Sequence, residues 1–311
     1  MKFKIIVLTP VHIGSGNAIS PLEYFINDNK FCRIDMDGLF QDPAFKPQMN
    51  YFIENAQFKR RAEEILHRDL YLRHILYEID IHESARNANL IEVKEFVKSA
   101  GRVFIPGSSL KGSILSGVMY GVLKEKSVSN LYDFKGLLAT TLNEISGNNK
   151  GAFSQWIDIS DTEMKSCKQS LMLAQARVMG AKTNRALPVL YEILKPGIQF
   201  ETEITWHGKK SLQNPETTVL SLADEFYRKI YEKEKKSSVK TIPEVPRNTF
   251  LLRVGQGSSA WATSFLLLAN ESGIANYEIN RPKSHKVKGP PTTKKLISGT
   301  ISMGWIAISK I

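Results

Sequence analysis

The chain has 311 residues, 42% of them hydrophobic, which is enough for one large domain or two of ordinary size with real cores and excludes disorder of the whole. Lys and Arg number 42 against 31 Asp and Glu, so the net charge of +11 draws the protein toward phosphate-rich partners without specifying one. Two cysteines, Cys32 and Cys167, exclude a disulfide framework and a multi-thiolate zinc site and fit a cytoplasmic setting; no apolar run reaches the roughly 18 residues of a membrane span, and "MKFKIIVLTP" lacks the apolar core of a secretion signal.

Residues 2–8 read as a partly buried strand that leaves through Pro10 into a loop carrying His12, Gly14, Ser15 and Gly16. A hairpin around residues 27–29 follows. From Asp42 the composition turns helical: Phe58, Ala62, Ile65, Leu66, Leu70, Leu72, Ile75 and Leu76 form a drifting apolar stripe, which predicts a helical insertion at about 42–90. Strand character returns before "RVFIPGSSLKGSILSG". There residues 102–105 end a strand, Pro106 and Gly107 punctuate, and Ser108 and Ser109 are N-cap candidates for a helix with Leu110, Ile114, Val118 and Val122 at helical spacing. Amide N–H groups, two hydroxyls and Lys111 would converge there, a combination suited to phosphate. Gly112, Gly117 and Gly121 each weaken that helix by up to about 1 kcal/mol, and crowding against a sheet is the expected compensation for the latter two.

"FSQWIDISDTE" reads as a further strand. "ARVMGAKTNRALP" places Arg177, Lys182 and Arg185 among small residues with no acid, a basic loop or long hairpin leaving the body, and "FETEITW" alternates as a strand after the Pro196-Gly197 turn. A helix is expected over 217–236. "NTFLLRVGQGSS" then repeats the earlier grammar: strand 250–254 containing Arg253 as a candidate RNA contact, a tight loop of Gly255, Gln256 and Gly257, and a second helix start at Ser258 and Ser259. Between 281 and 295 six Lys or Arg, Lys286 and Lys288 among them as candidate RNA contacts, occur with three prolines and no acid, a basic loop suited to docking on a partner or along a phosphate backbone before a closing strand at 301–308. Strands flanking two helices indicate an α+β chain built on βαββαβ sheets, divided here into residues 1–206 and 207–311.

Enzyme motifs are not evident. "GSSLKGS" and "VGQGSS" match neither G-x-x-x-x-G-K-[ST] nor G-x-G-x-x-G, which argues against nucleotide hydrolysis and hydride transfer. Asp158, Asp161 and Glu163 alternate faces and imply no two-metal site, the scattered histidines imply no metal, and no cofactor is indicated. His12, beside the first strand, is the best general base for a ribose 2′-OH, but with no evident partner acid a positioning or stacking role on RNA is preferred; a metal-independent endoribonuclease is the alternative to binding, and a pure protein-interaction subunit is a third reading.

"LTPVHIGSGN", "IPGSSLKGSI", "PVLYEILKPGIQFETEI", "LRVGQGSS" and "TKKLISGTISMGWIAI" together resemble the RAMP superfamily of CRISPR proteins, and their order is similar to that of the filament-capping, guide 3′-side backbone subunit of type III-A effector complexes. That resemblance implies ferredoxin-like (RNA-recognition-motif-like) sheets and a noncatalytic subunit that binds guide RNA (crRNA) and target RNA, contacts neighbouring backbone subunits, supports guide 3′-end maturation and recruits a separate nuclease; the alternative is a metal-independent endoribonuclease that processes precursor guide RNA with His12 as its base. It carries phosphate contacts to Ser108, Ser109 and Lys111, a glycine-rich loop to Gly255, Gln256 and Gly257, an RNA or subunit contact to Gly14, Ser15 and Gly16, and a thumb-like region to Arg177, Lys182 and Arg185. The acid that the cutting backbone subunit carries after its first strand region is missing: "GNAISPLEY" has only Glu23, at a strand start, which argues against target cleavage. Backbone amides and lysines read phosphates without reading sequence, as a carrier of many guides requires.

Overall fold

The computed structural model describes residues 1–56, 58, 60–89, 92–124, 153–180, 183–207, 214–236, 244–257, 267–268, 271 and 294–311. Along the chain lie β1 (Lys2–Val7), β2 (Gly14–Ile19), β3 (Tyr24–Asn27), β4 (Lys30–Ile34), α1 (Met36–Gln41), α2 (Met49–Ala56), α3 (Ala62–Ile65), α4 (Arg68–Arg73) and β5 (Ile75–Ile81). Next come β6 (Val93–Phe96), β7 (Lys98–Ser99), β8 (Arg102–Val103), α5 (Gly107–Lys124), β9 (Ile157–Ile159), β10 (Lys165–Ser166) and α6 (Cys167–Ser170). The remainder is β11 (Leu171–Gly180), β12 (Thr183–Leu194), β13 (Gln199–Trp206), α7 (Pro215–Lys235), β14 (Phe250–Arg253), β15 (Lys294–Ile297), β16 (Ile301–Ser302) and β17 (Trp305–Lys310).

The first sheet runs β14-β17-β1-β13-β9, with every neighbouring pair antiparallel. Taken in chain order, β1, α5, β9, β13, α7 and β17 form the expected ferredoxin-like βαββαβ unit, and β14 extends its edge. Residues 1–206 and 207–311 therefore share this sheet. Alternation decides which face is covered: Phe3, Ile5 and Val7 of β1 and Phe200, Thr202 and Ile204 of β13 all point inward. Burying each of the apolar ones contributes about 1.5–3 kcal/mol. Thr202 is tolerated there because its hydroxyl donates to the Ser160 carbonyl at 2.8 Å.

The glycines of α5 follow from helix packing, with a neighbouring helix in the place expected for a sheet. A Cβ on Gly117 would lie 2.3 Å from the Ala223 Cα of α7, and one on Gly121 would lie 3.0 Å from Leu222. α7 begins with Pro215 and Glu216 and ends with Lys233 and Lys235, an order that suits the helix dipole.

The second sheet has nine strands: β2-β6-β12-β11-β5-β4-β3, with β15 joining the far half of β11 and β16 following β15. The β3–β4 hairpin turns through Asp28 and Asn29, both at positive φ, as a tight primed turn requires. The apolar stripe of the insertion resolves into short helices because the chain is extended at Arg61, Leu66 and His67. Ala62, Ile65, Leu66 and Leu70 join a separate core with Phe25, Cys32 and Phe52, whereas Ile75 and Leu76 belong to strand β5, paired with β4, and are exposed. No helix among the described residues is long and apolar enough to cross a membrane.

Candidate nucleic-acid interface

The two strand-to-turn junctions singled out in the sequence occupy different electrostatic settings. At the first, Gly107 starts α5 where a Cβ would sit 2.0 Å from the Ile159 carbonyl oxygen, so glycine is demanded by the approach of β9. The Gly107 N–H donates to the Asp161 carboxylate at 2.8 Å, and the Ser109 N–H to the Pro106 carbonyl at 3.0 Å. The helix N-terminus expected to receive phosphate thus already holds a carboxylate of its own chain. Lys111 lies 3.5 Å from Asp158, which also pairs with His207 at 3.0 Å. Ser108 is exposed, Ser109 and Lys111 are half-buried, and Gly112 faces open space. Asp158, Asp161 and Glu163 each take different partners, Glu163 pairing with Lys165.

The second junction closes on the exit of β1. The Gln256 N–H donates to the His12 carbonyl at 2.8 Å, and a Cβ on Gly255 would sit 2.2 Å from that oxygen. Gly255 and Gly257 have φ of +70° and +102°, a region that disfavours side chains. Gly304 donates to the Pro10 carbonyl at 2.9 Å, which binds the closing strand to the same exit. Gly14, Ser15 and Gly16, expected in a loop, lie instead on the exposed edge strand β2, with a register shift against β6 between Gly14 and Ala18. The Ser15 hydroxyl donates to Glu95 at 3.0 Å.

Lysines gather around this junction. Lys295 Nζ donates to the Gln256 side chain at 2.9 Å and stands 5.9 Å from the centre of the Tyr191 ring. Lys295, Lys98 and Lys94 all oppose protonation of His12, whose pKa falls to about 4 chiefly through burial. His12 is 1% exposed, packed edge-on against Tyr191 and Phe96, and its Nδ1 donates to the Glu192 carbonyl at 2.7 Å. The buried Glu192 carboxylate accepts from Tyr77, the Phe96 N–H and Lys98, at 2.5, 2.9 and 2.5 Å. His12 therefore does not present its ring at the surface, either to act as a base or to stack on RNA. Burial of this kind leaves a structural histidine, whose carbonyl receives the glycine loop.

Arg253 is the other correction. Its side chain is 1% exposed and ion-paired with Glu234 at 2.7 Å, so its charge is not offered to a ligand. Arg177 is exposed in β11, paired in register with Leu296 of β15, and Arg185 falls in β12. Lys182, Ser258, Ser259, Lys286 and Lys288 lie outside the described residues. Lys294 and Lys295, the end of the basic run expected to be a loop, form strand β15 against β11. Sequence reasoning missed the roles of Lys295, Glu192 and Asp161, because each takes its partner from an element distant along the chain. Glu23 completes a capping box with Ser20 and pairs with Arg33 at 2.9 Å, a structural assignment for that acid. Among the described residues no group of three or more His, Cys, Asp or Glu is arranged to hold a metal.

A model of the RAMP superfamily matches residues 4–265. The chain is 27% identical over 314 residues to the CRISPR system Cms protein Csm5 of Streptococcus thermophilus, a match covering 92% of this chain and 85% of that protein. It is 29% identical over 133 residues to Csm5 of Methanocaldococcus jannaschii, covering 39% and 30% respectively. Among solved structures, it superposes with a TM-score of 0.74 on a chain of the cryo-EM Csm-crRNA-target RNA ternary complex of a type III-A CRISPR-Cas system, at 20% identity over 99% of this chain and 100% of that one. The crystal structure of Csm5 from T. onnurineus gives 0.69 at 19% identity over 97% and 99%.

Proposed function

We infer, because the chain belongs to the RAMP superfamily and is similar to Csm5 over most of its length, that it is a noncatalytic guide-RNA-binding subunit. In this reading it caps the backbone filament of a type III-A CRISPR effector and supports maturation of the guide 3′ end. The observation that carries the reading is the meeting of the β1 exit with the loop of Gly255, Gln256 and Gly257 beside Lys295 and Lys94. Backbone amides and lysine ammonium groups there suit a sugar–phosphate chain of any sequence. Ser108, Ser109 and Lys111 add hydroxyls and one cation to the RNA path. Their share is smaller, because Lys111 must leave Asp158 before it reaches a phosphate. By the family resemblance, Arg177, Lys182 and Arg185 form the thumb-like region that meets the guide–target duplex. The endoribonuclease alternative is not adopted, since its base, His12, is buried.

The test is salt-dependent binding of unrelated single-stranded RNAs. With about six phosphates engaged, log affinity falls against log salt with a slope of roughly 4 for every sequence. Lys295→Ala lowers affinity about tenfold and flattens the slope by about 0.7, and Lys111→Ala lowers it by about threefold or less. Sequence-dependent affinity, or a slope untouched by Lys295→Ala, defeats the reading.

A further inference from the structure

The glycine loop is held from behind by a buried ionic assembly. Arg253, at the end of β14, uses its guanidinium in four directions. Nε donates to the Met303 carbonyl at 3.0 Å, Nη1 to Glu234 at 2.7 Å, and Nη2 to the Gly257 carbonyl at 2.9 Å and to the Ser302 hydroxyl at 3.0 Å. Glu234, in the last turn of α7, accepts from the Ser302 hydroxyl at 2.7 Å and from the Trp305 indole at 3.1 Å. The guanidinium also lies 4.9 Å from the Trp305 ring centre. Arg253 and Glu234 are 4% and 9% exposed.

A buried pair of this kind adds little net stability over apolar packing, but it specifies one arrangement strictly, because a half-made network leaves a buried charge unpaired. Here the arrangement specified includes the Gly257 carbonyl, and hence the direction of the loop that ends on it. At its other end the loop is pressed against the His12 carbonyl through Gly255 and Gln256. Lysine could keep the charge opposite Glu234 but has no planar fork to reach Gly257, Met303 and Ser302 together.

We propose that Arg253 and Glu234 form a buried latch that fixes the loop of Gly255, Gln256 and Gly257 in the shape that receives RNA, so that RNA affinity depends on two positioning residues that touch no RNA. The proposal rests on the reading that this loop binds RNA. It carries a sign that simple electrostatics does not: removing a carboxylate from an RNA-binding protein ordinarily strengthens binding, whereas removing this one weakens it.

The experiment compares the full chain with Glu234→Gln and Arg253→Lys, measuring affinity for a mixed-sequence single-stranded RNA, amide hydrogen exchange at Gln256 and Gly257, and the thermal midpoint. Both variants bind RNA about tenfold more weakly at temperatures where they are folded, and exchange at Gln256 quickens by a similar factor. Should either fail to fold, Ser302→Ala removes one hydrogen bond from each member and keeps both charges; it weakens RNA binding about threefold in the same direction. Glu234→Gln binding as tightly as the parent or more so, or unchanged exchange at Gln256, overturns the latch. If Lys295→Ala leaves affinity unchanged while Arg253→Lys still quickens exchange at Gln256, the RNA reading of the loop has failed and the latch loses its link to RNA. Weaker binding in Lys295→Ala alone leaves the reading standing and overturns the latch.

Discussion

Residues 102–112 and 250–257 are composed alike, each a short strand followed by a glycine turn, yet the molecule treats them in opposite ways. The first is sealed by carboxylates: Asp161 takes the Gly107 N–H and Asp158 takes Lys111. The second is braced from below by a cation, Arg253, and flanked by Lys295, and the acid that pairs with Arg253, Glu234, is buried on the far side of that cation. Sequence grammar marks where a backbone must turn tightly. The charge that the turn meets is set by whichever strand the fold brings beside it.

The strongest way to break this contrast is to add a methyl group to each turn. Gly255→Ala meets the His12 carbonyl at 2.2 Å with φ at +70°, and costs about 4 kcal/mol; Gly107→Ala meets the Ile159 carbonyl at 2.0 Å and costs about 3 kcal/mol. Denaturant titration measures both. At temperatures where both remain folded, RNA binding is lost in Gly255→Ala and nearly kept in Gly107→Ala; equal losses would erase the distinction.

A pH series sharpens the second junction. His12 has a folded pKa of about 4, below its ordinary 6.5, so the fold favours the neutral ring. The unfolded chain binds the proton first on acidification. Stability from this group is complete above pH 6.5 and lost as pH falls toward 4, about 3 kcal/mol in all. Unfolding free energies of the parent and of His12→Asn, compared from pH 7 to 4, should converge across that window by about this amount. A constant difference would mean that the ring titrates as if exposed.

The smallest effect concerns the seal on the first junction. Asp161→Asn weakens the cap on Gly107 and costs about 1 kcal/mol by thermal melting. It also lifts negative charge from the helix start, so RNA affinity rises by about twofold or less. A fall in affinity would place Asp161 on the side of binding.

Much of the architecture was legible. Alternation in residues 2–8 and 199–206, helical spacing after Gly107 and from Thr217, and the hairpin at residues 27–29 all reappear as elements of the structure. The insertion was read as more continuously helical than it is, because Ile75 and Leu76 keep the helical spacing while their backbone pairs with β4. The candidate site was less legible. Gly255 and Gly257 stood out as turn residues, but Arg253 read as an RNA contact and Lys295 as part of a loop. Composition counts charges and does not say which are buried against one another.

The sequence by itself determined the α+β class, the βαββαβ pattern, the basic balance and the tight glycine turn at residues 255–257, since these depend on local periodicity, charge and backbone sterics. Tertiary structure alone decided that one glycine junction faces carboxylates and the other a buried arginine and Lys295. That choice depends on contacts between strands far apart in the chain, where a charge's effect is set by its burial and its partner.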